Sequence, residues 1–155
     1  MQQYLDDGAD ILVRSPDNDI KLIVEVKARN QSSPEWAAKF RHNLIANHVL
    51  PKSRFFLLAL PDFLYLWRDG DSSEVVPPDY TVRTVNLLLK YLTRLGEEPK
   101  YIGEEGLQLA LTSWLRDATF SSKRPPVGSD SYRFLVESGL LDAISKAEVS
   151  AQPHL

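Results

Sequence analysis

Two short apolar segments lie near the start of the chain, separated by a polar turn. Residues 9–14 and 20–28 are rich in Ile, Leu and Val. The intervening residues 15–19, Ser-Pro-Asp-Asn-Asp, contain the proline and Asx residues that are typical of a turn. This pattern predicts an antiparallel hairpin.

The segment after the hairpin has the apolar spacing of an amphipathic helix. Residues 32–35, Ser-Ser-Pro-Glu, are typical of a helix start. Apolar side chains follow four residues apart at Trp36, Phe40 and Leu44. We expect this helix to run to about His48.

Two further apolar runs, residues 55–60 and 63–67, predict two more strands on either side of a Pro-Asp break. The predicted order is strand, strand, helix, strand, strand. That order is typical of an α/β domain with a mixed sheet, in which the helix is the crossover between the second and third strands. We expect this core to occupy residues 1–72.

Beyond residue 72 the apolar spacing becomes mainly helical. Residues 73–79 contain two prolines and predict a connector, residues 80–146 predict a helical extension, and residues 147–155 predict a frayed tail. Whether the extension covers the sheet or forms a separate unit stays open at this point.

Three helices are expected in the extension. The first would be capped by Asp79 or Thr81 and would end at Gly96, since glycine favours the left-handed conformation that ends many helices. The other two would span residues 104–118 and 131–146.

The composition limits the kinds of metal site and the compartment. The chain has no cysteine, and His42, His48 and His154 are too few and too scattered for a zinc site. A metal would therefore be bound by oxygen ligands, which suits Mg²⁺ or Mn²⁺. No apolar stretch is long enough to span a membrane, and the first residues lack the pattern of a secretory signal. We expect a cytoplasmic protein.

The charge is unevenly distributed along the chain. The net charge of the whole chain is −3, but residues 27–54 alone carry +5 and follow directly on an acidic segment. A metal site that acts on phosphates needs carboxylates to bind the metal ion. It also needs basic side chains nearby to bind the negatively charged substrate. A solvated helix face is an equally good interpretation of the basic segment.

An acid-x-Lys pattern occurs three times, at residues 19–21, 25–27 and 98–100. The first lies at the turn end of a strand, and the last contains a proline in a predicted loop. Only Glu25 and Lys27 lie on one face of an apolar strand, with Asp10 on the neighbouring strand. Metal-assisted phosphodiester hydrolysis needs such acids for the cation and a lysine near the phosphate and water.

With these residues the chain resembles the PD-(D/E)XK nuclease superfamily, the restriction-endonuclease-like fold. The resemblance depends on Gly-Ala-Asp-Ile-Leu-Val at residues 8–13 and on Ile-Val-Glu-Val-Lys-Ala-Arg at residues 23–29, each in a predicted strand. It implies a DNA endonuclease, with Asp10 and Glu25 as ligands of Mg²⁺ or Mn²⁺ and Lys27 as the catalytic lysine.

Two features depart from the family pattern. Ala9 stands where the family name has a proline, at a position that varies within the superfamily. Family members usually have an N-terminal helix, often with a glutamate that joins the metal site, whereas only nine residues and no glutamate precede Asp10. Asp6 and Asp7 are imperfect substitutes, so the chain is either a shortened version or has fewer ligands.

Four polar residues near the predicted site are candidate nucleic-acid contacts: Arg29, Gln31, Lys39 and Arg41. Lys39 and Arg41 are two residues apart, so a helix can present at most one of them to the site. Tyr65 and Trp67 alternate on one strand and could stack on bases. A core position explains both aromatic residues better.

Two other functions remain open beside the nuclease. One is a non-catalytic form of the fold that binds DNA or RNA through the basic segment at residues 27–54. The other is a protein-interaction or regulatory module in which the C-terminal helices contact a partner, including a second copy in a homodimer. The clustered Asp10, Glu25 and Lys27 favour the enzyme, which we place first, whereas the acidic net charge and the missing glutamate favour the alternatives.

Overall fold

The computed structural model describes residues 9–47, 51–69, 74–96, 98, 101–121 and 124–152. Within these residues the chain forms a single six-stranded sheet with helices packed on it, which makes the protein an α/β protein. The strands are β1 (Ile11–Arg14), β2 (Ile20–Val26), β3 (Phe55–Ala59), β4 (Phe63–Trp67), β5 (Tyr80–Arg83) and β6 (Glu148–Ala151).

The helices lie between these strands. They are α1 (Pro34–Asn47), α2 (Thr84–Leu95), α3 (Glu104–Phe120), α4 (Asp130–Tyr132) with a π-helical turn directly after it (Arg133–Glu137), and α5 (Leu140–Ile144). In the described part of the chain, no helix is long and apolar enough to cross a membrane. The predicted end of α1 at His48 falls one residue beyond the described helix, and His48 itself lies outside the described residues.

The strand order across the sheet is β5-β4-β3-β2-β1-β6. Strands β2 and β3 are parallel, and every other neighbouring pair is antiparallel. Helix α1 makes the crossover that a parallel pair requires. The predicted hairpin, the crossover helix and the mixed sheet are therefore confirmed.

Both edge strands come from the C-terminal half, where only helices, a connector and a tail were expected. Residues Tyr80–Arg83 form β5, which pairs with β4, so α2 begins at Thr84 and neither Asp79 nor Thr81 caps it. The residue before α2 is Arg83, and no side chain caps the helix there. Strands this short are selected by their neighbour in the sheet, which local spacing does not reveal.

The tail was also mispredicted, because Glu148–Ala151 pairs with β1 as β6. The single helix expected over residues 131–146 is interrupted at Gly139, which has a φ of +87°. Such a value suits glycine and ends the π-helical turn before α5 begins. Helix α3 begins at Glu104 as predicted, and α2 ends as predicted at Gly96, which has a φ of +71°.

Alternating side chains give the sheet two buried faces. One face packs against α2, α3 and α5, with Val24, Leu57 and Leu66 at its centre. The other face packs against α1 and includes Tyr65 and Trp67, which are 0 % and 1 % exposed. Both aromatic residues are thus core residues.

Candidate functional site

The register of the hairpin brings the two predicted acids to the same position on the sheet. Ile11 pairs with Val24 across β1 and β2, so Asp10 and Glu25 are the next residues along the two strands. Glu25 alternates with Ile23, which packs beneath α1. The candidate site therefore lies on the α1 face, at the C-terminal end of β2.

Hydrogen bonds hold Asp10 through both its side chain and its backbone. Its Oδ2 accepts a hydrogen bond of 2.7 Å from the amide of Val26, and its own amide donates to the carbonyl of Val24 at 3.0 Å. The carboxylate therefore satisfies an amide of β2 from the residue that directly precedes β1. This contact orients the acid toward the end of β2.

Helix α3 fixes the same end of β1 from the opposite face of the sheet. The side-chain amide of Gln108 donates to the carbonyl of Asp10 at 3.3 Å and to the carbonyl of Gln152 at 2.6 Å. Gln108 is only 5 % exposed. A buried amide with two backbone acceptors ties β1 and the end of β6 to α3.

Glu25 is the most strongly perturbed acid of the site. It is 7 % exposed, and no hydrogen-bond partner is found for its Oε1 within the described residues. Burial, reinforced by the negative charge of Asp10, raises the pKa of Glu25 to about 8, and Lys27 offsets only part of this. A buried carboxyl group with an unsatisfied oxygen and an acid beside it is typical of a functional site.

Lys27 lies next to Glu25 and reaches solvent. Its Nζ is 3.9 Å from Glu25 Oε2 and 5.9 Å from the centroid of the Phe40 ring on α1. Its side chain is 40 % exposed. The ammonium group can therefore contact both the buried acid and a polyanion that approaches from solvent.

Glu104 is an acid of the site that the sequence analysis missed. It begins α3, its Oε2 accepts a hydrogen bond of 3.3 Å from the amide of Ala28, and its charge further raises the pKa of Glu25. An acid in the first turn of a helix is favoured by the helix dipole, which is a sufficient local reason for its presence. Its approach to the end of β2 depends on a contact between residues 76 positions apart, which spacing does not reveal.

The donor set fits a hard divalent cation bound by carboxylates. Asp10 and Glu25 are the acids that could supply oxygen ligands, and the unsatisfied Oε1 of Glu25 is an atom that a cation would satisfy. In the described part of the chain, no group of three or more acids, histidines or cysteines is placed to hold a metal. Asp6 and Asp7, the substitutes considered for a further ligand, lie outside the described residues.

The four predicted nucleic-acid contacts have different positions. Arg29 and Gln31 are exposed in the loop after β2, where Gln31 has a φ of +61°, and Lys39 is exposed on α1. Arg41 is 0 % exposed, so the expectation that it contacts nucleic acid is wrong.

The burial of Arg41 follows from the helical period and its aromatic neighbours. Its guanidinium group lies 5.2 Å from the ring centroid of Trp67 and 5.8 Å from that of Phe56, and it donates to the carbonyl of Asp69 at 2.6 Å. A planar, weakly hydrated cation is well suited to such a stack.

The basic segment at residues 27–54 does not form one surface. The amide of Arg54 donates to the carbonyl of Ile20 at 3.3 Å, at the start of β2 and β3. That end of the parallel pair is opposite to Glu25 and Lys27. Three cations, Lys27, Arg29 and Lys39, are therefore left on the strand end and helix that form the site.

The acid-x-Lys pattern at residues 19–21 lacks this setting. Asp19 is exposed where the turn leads into β2, and Lys21 is only partly buried. Lys100 lies outside the described residues, as does His154.

Comparison of the chain with protein-family models, curated proteins and solved structures gives no match.

Proposed function

We propose that this protein is a nuclease that hydrolyses phosphodiester bonds in DNA and depends on Mg²⁺ or Mn²⁺. Its fold is proposed to be of the restriction-endonuclease-like type. The β1–β2 hairpin, the α1 crossover and the parallel β2–β3 pair support that assignment.

One observation carries the proposal: Asp10, Glu25 and Lys27 meet at the end of β2. Two acids on neighbouring strands lie beside a lysine whose Nζ is 3.9 Å from the buried carboxylate. Burial of Glu25 away from water raises its pKa, and its Oε1 has no hydrogen-bond partner among the described residues. A buried carboxyl oxygen without a hydrogen-bond partner is destabilising, so stability alone does not account for Glu25 at this position.

Asp10 and Glu25 would hold the cation, and Glu104 would add negative charge nearby. The bound cation would offset the charge that develops on the scissile phosphate and acidify a water. Lys27 would hold a phosphate oxygen and orient the attacking water, because its ammonium group is both next to Glu25 and open to solvent.

A second candidate function is a non-catalytic nucleic-acid-binding module with the same surface. The raised pKa of Glu25 favours it, because a carboxyl group that is protonated at neutral pH competes poorly for a metal. Such a module would bind DNA in a salt-sensitive way without any effect of Mg²⁺.

Incubation of the purified chain with end-labelled single-stranded and duplex DNA, in Mg²⁺, in Mn²⁺ and in EDTA, separates the two candidates. The nuclease account predicts shortened products only with a divalent cation. Salt-sensitive binding with no product in either metal would favour the non-catalytic module instead.

A further inference from the structure

An aromatic surface lies directly beside the candidate site, on the first turns of α1. Trp36 and Phe40 are only partly buried, although they pack against the core on that face of the sheet. Their ring centroids are 5.2 Å apart and the rings are inclined by 22°, so the two side chains form a stack along the helix. We call Arg29, Trp36 and Phe40 the aromatic stack.

Cations accompany both rings of the aromatic stack. The guanidinium carbon of Arg29 lies 4.2 Å from the centroid of Trp36, and Lys27 Nζ lies 5.9 Å from the centroid of Phe40. Lys39 is exposed on α1, three residues after Trp36 and therefore on a neighbouring part of the helix surface. Partly exposed rings flanked by cations are the two components of a surface that binds single-stranded nucleic acid.

Lys27 connects this surface to the candidate site. The same ammonium group is 3.9 Å from Glu25 Oε2 and 5.9 Å from the ring of Phe40. A phosphate held by Lys27 would therefore place the base of the same or the next nucleotide within reach of the rings.

We infer that the aromatic stack binds unpaired nucleobases, so that single-stranded nucleic acid is the preferred ligand of this surface. The inference rests on the proposed function for the identity of the ligand. Bases within a duplex are stacked on one another, and exposing one costs a few kcal/mol. A base that is already unpaired can stack on Trp36, with Arg29 moving to a phosphate, or can stack on the outer plane of the Arg29 guanidinium group.

Intrinsic fluorescence provides a direct test, because the three tryptophans differ in exposure. Trp67 and Trp114 are 1 % and 6 % exposed, whereas Trp36 is only partly buried. The full chain in EDTA is titrated with a twelve-nucleotide oligo-dT and with a duplex of twelve base pairs. We expect oligo-dT to quench the emission and to bind more tightly than the duplex, and Trp36→Phe to lose most of the quenching.

The variant series separates stacking from charge. Loss of one base-stacking residue should weaken binding of oligo-dT about five- to 150-fold, and we expect Trp36→Ala to fall in that range. Phe120→Ala is the matched control, because Phe120 is 91 % exposed on α3 and lies outside the aromatic stack. It should leave the affinity unchanged. Circular dichroism of each variant checks that it is folded.

Three outcomes would overturn the inference. The first is equal affinity for oligo-dT and the duplex. The second is a Trp36→Ala variant that binds oligo-dT as tightly as the parent chain, and the third is a folded parent chain that does not bind oligo-dT. The third outcome would leave the surface to a protein partner. Because binding is measured in EDTA, the result is independent of hydrolysis. Quenching at Trp36 without metal-dependent products would reject only the proposed nuclease activity. Cleavage of DNA that is insensitive to Trp36→Ala would reject only the proposed base stacking.

Discussion

The carboxylate of Asp10 accepts a hydrogen bond of 2.7 Å from the amide of Val26, the residue between Glu25 and Lys27. One acid of the candidate site thus anchors the strand that carries the other acid and the lysine. Removing this acceptor leaves a partly buried amide unsatisfied, so Asp10 contributes to the local structure as well as to the charge of the site.

The raised pKa of Glu25 predicts a specific dependence of stability on pH in the absence of metal. In the folded chain the pKa is about 8, whereas an unperturbed glutamate titrates near 4.5. Between these values the folded state holds a proton that the unfolded chain has lost, so the free energy of unfolding falls as pH rises from about 4.5 to about 8. Glu25→Gln carries no titrating group and should flatten this part of the profile.

Urea denaturation in EDTA at several pH values between 5 and 8.5 measures the effect. The variant should gain stability relative to the parent chain as pH rises. Parallel profiles of stability against pH for the parent chain and the variant would show that burial does not raise the pKa of Glu25. The geometry described for the site would then be wrong.

Substitution of Glu104 should weaken the affinity for a divalent metal ion more than substitution of Glu105 does. Glu104→Gln removes a negative charge that acts on Glu25, and changes of this kind near a metal typically cost about ten- to 100-fold in metal affinity. Glu105→Gln is the control, since Glu105 is exposed at the next position of α3. Calorimetric titration with Mn²⁺ compares them, and equal affinities would remove Glu104 from the site.

Gln108 should support the site through the backbone of Asp10. Gln108→Ala removes two part-buried hydrogen bonds to the ends of β1 and β6, and at about 0.5–1.5 kcal/mol for each bond we expect a cost of about 1–3 kcal/mol. Leu109→Ala, at a position that is 53 % exposed, should be close to neutral. Urea denaturation of both variants is the measurement, and similar unfolding midpoints would contradict the role given to Gln108.

Lys39 and Arg41 should behave differently although they are two residues apart. Lys39→Ala should leave the fold intact and lower the slope of log K against log salt for DNA binding by about one. Arg41→Ala removes a buried side chain from Phe56 and Trp67 and should destabilise the chain by about 2–3 kcal/mol. The opposite pattern, a stable Arg41→Ala with weakened DNA binding, would restore Arg41 as a contact residue.

The parts of the fold that were predictable from sequence are those that local spacing determines. The hairpin, α1 and the C-terminal end of α2 follow from turn residues, apolar period and the left-handed Gly96. The edge strands β5 and β6 were missed because four-residue strands carry little periodicity, and β6 has its partner more than 130 positions earlier in the chain.

The same distinction explains which site residues were predictable. Glu25 and Lys27 share a face because they are two residues apart on one strand, and the hairpin register adds Asp10. Glu104 reaches the site only because α3 packs across the sheet, and the burial of Arg41 depends on aromatic residues of β3 and β4. Long-range packing of this kind leaves no signal in one sequence.

Cleavage of end-labelled DNA by the parent chain, Lys27→Ala and Lys21→Ala, with and without Mg²⁺, tests the central claim most directly. Both lysines belong to acid-x-Lys patterns at the two ends of β2, but only Lys27 lies 3.9 Å from the buried Glu25. We predict Mg²⁺-dependent products from the parent chain and from Lys21→Ala, and none from a folded Lys27→Ala. Undiminished cleavage by Lys27→Ala, or no metal-dependent cleavage by the parent chain, would contradict the assignment of Asp10, Glu25 and Lys27 as a nuclease site.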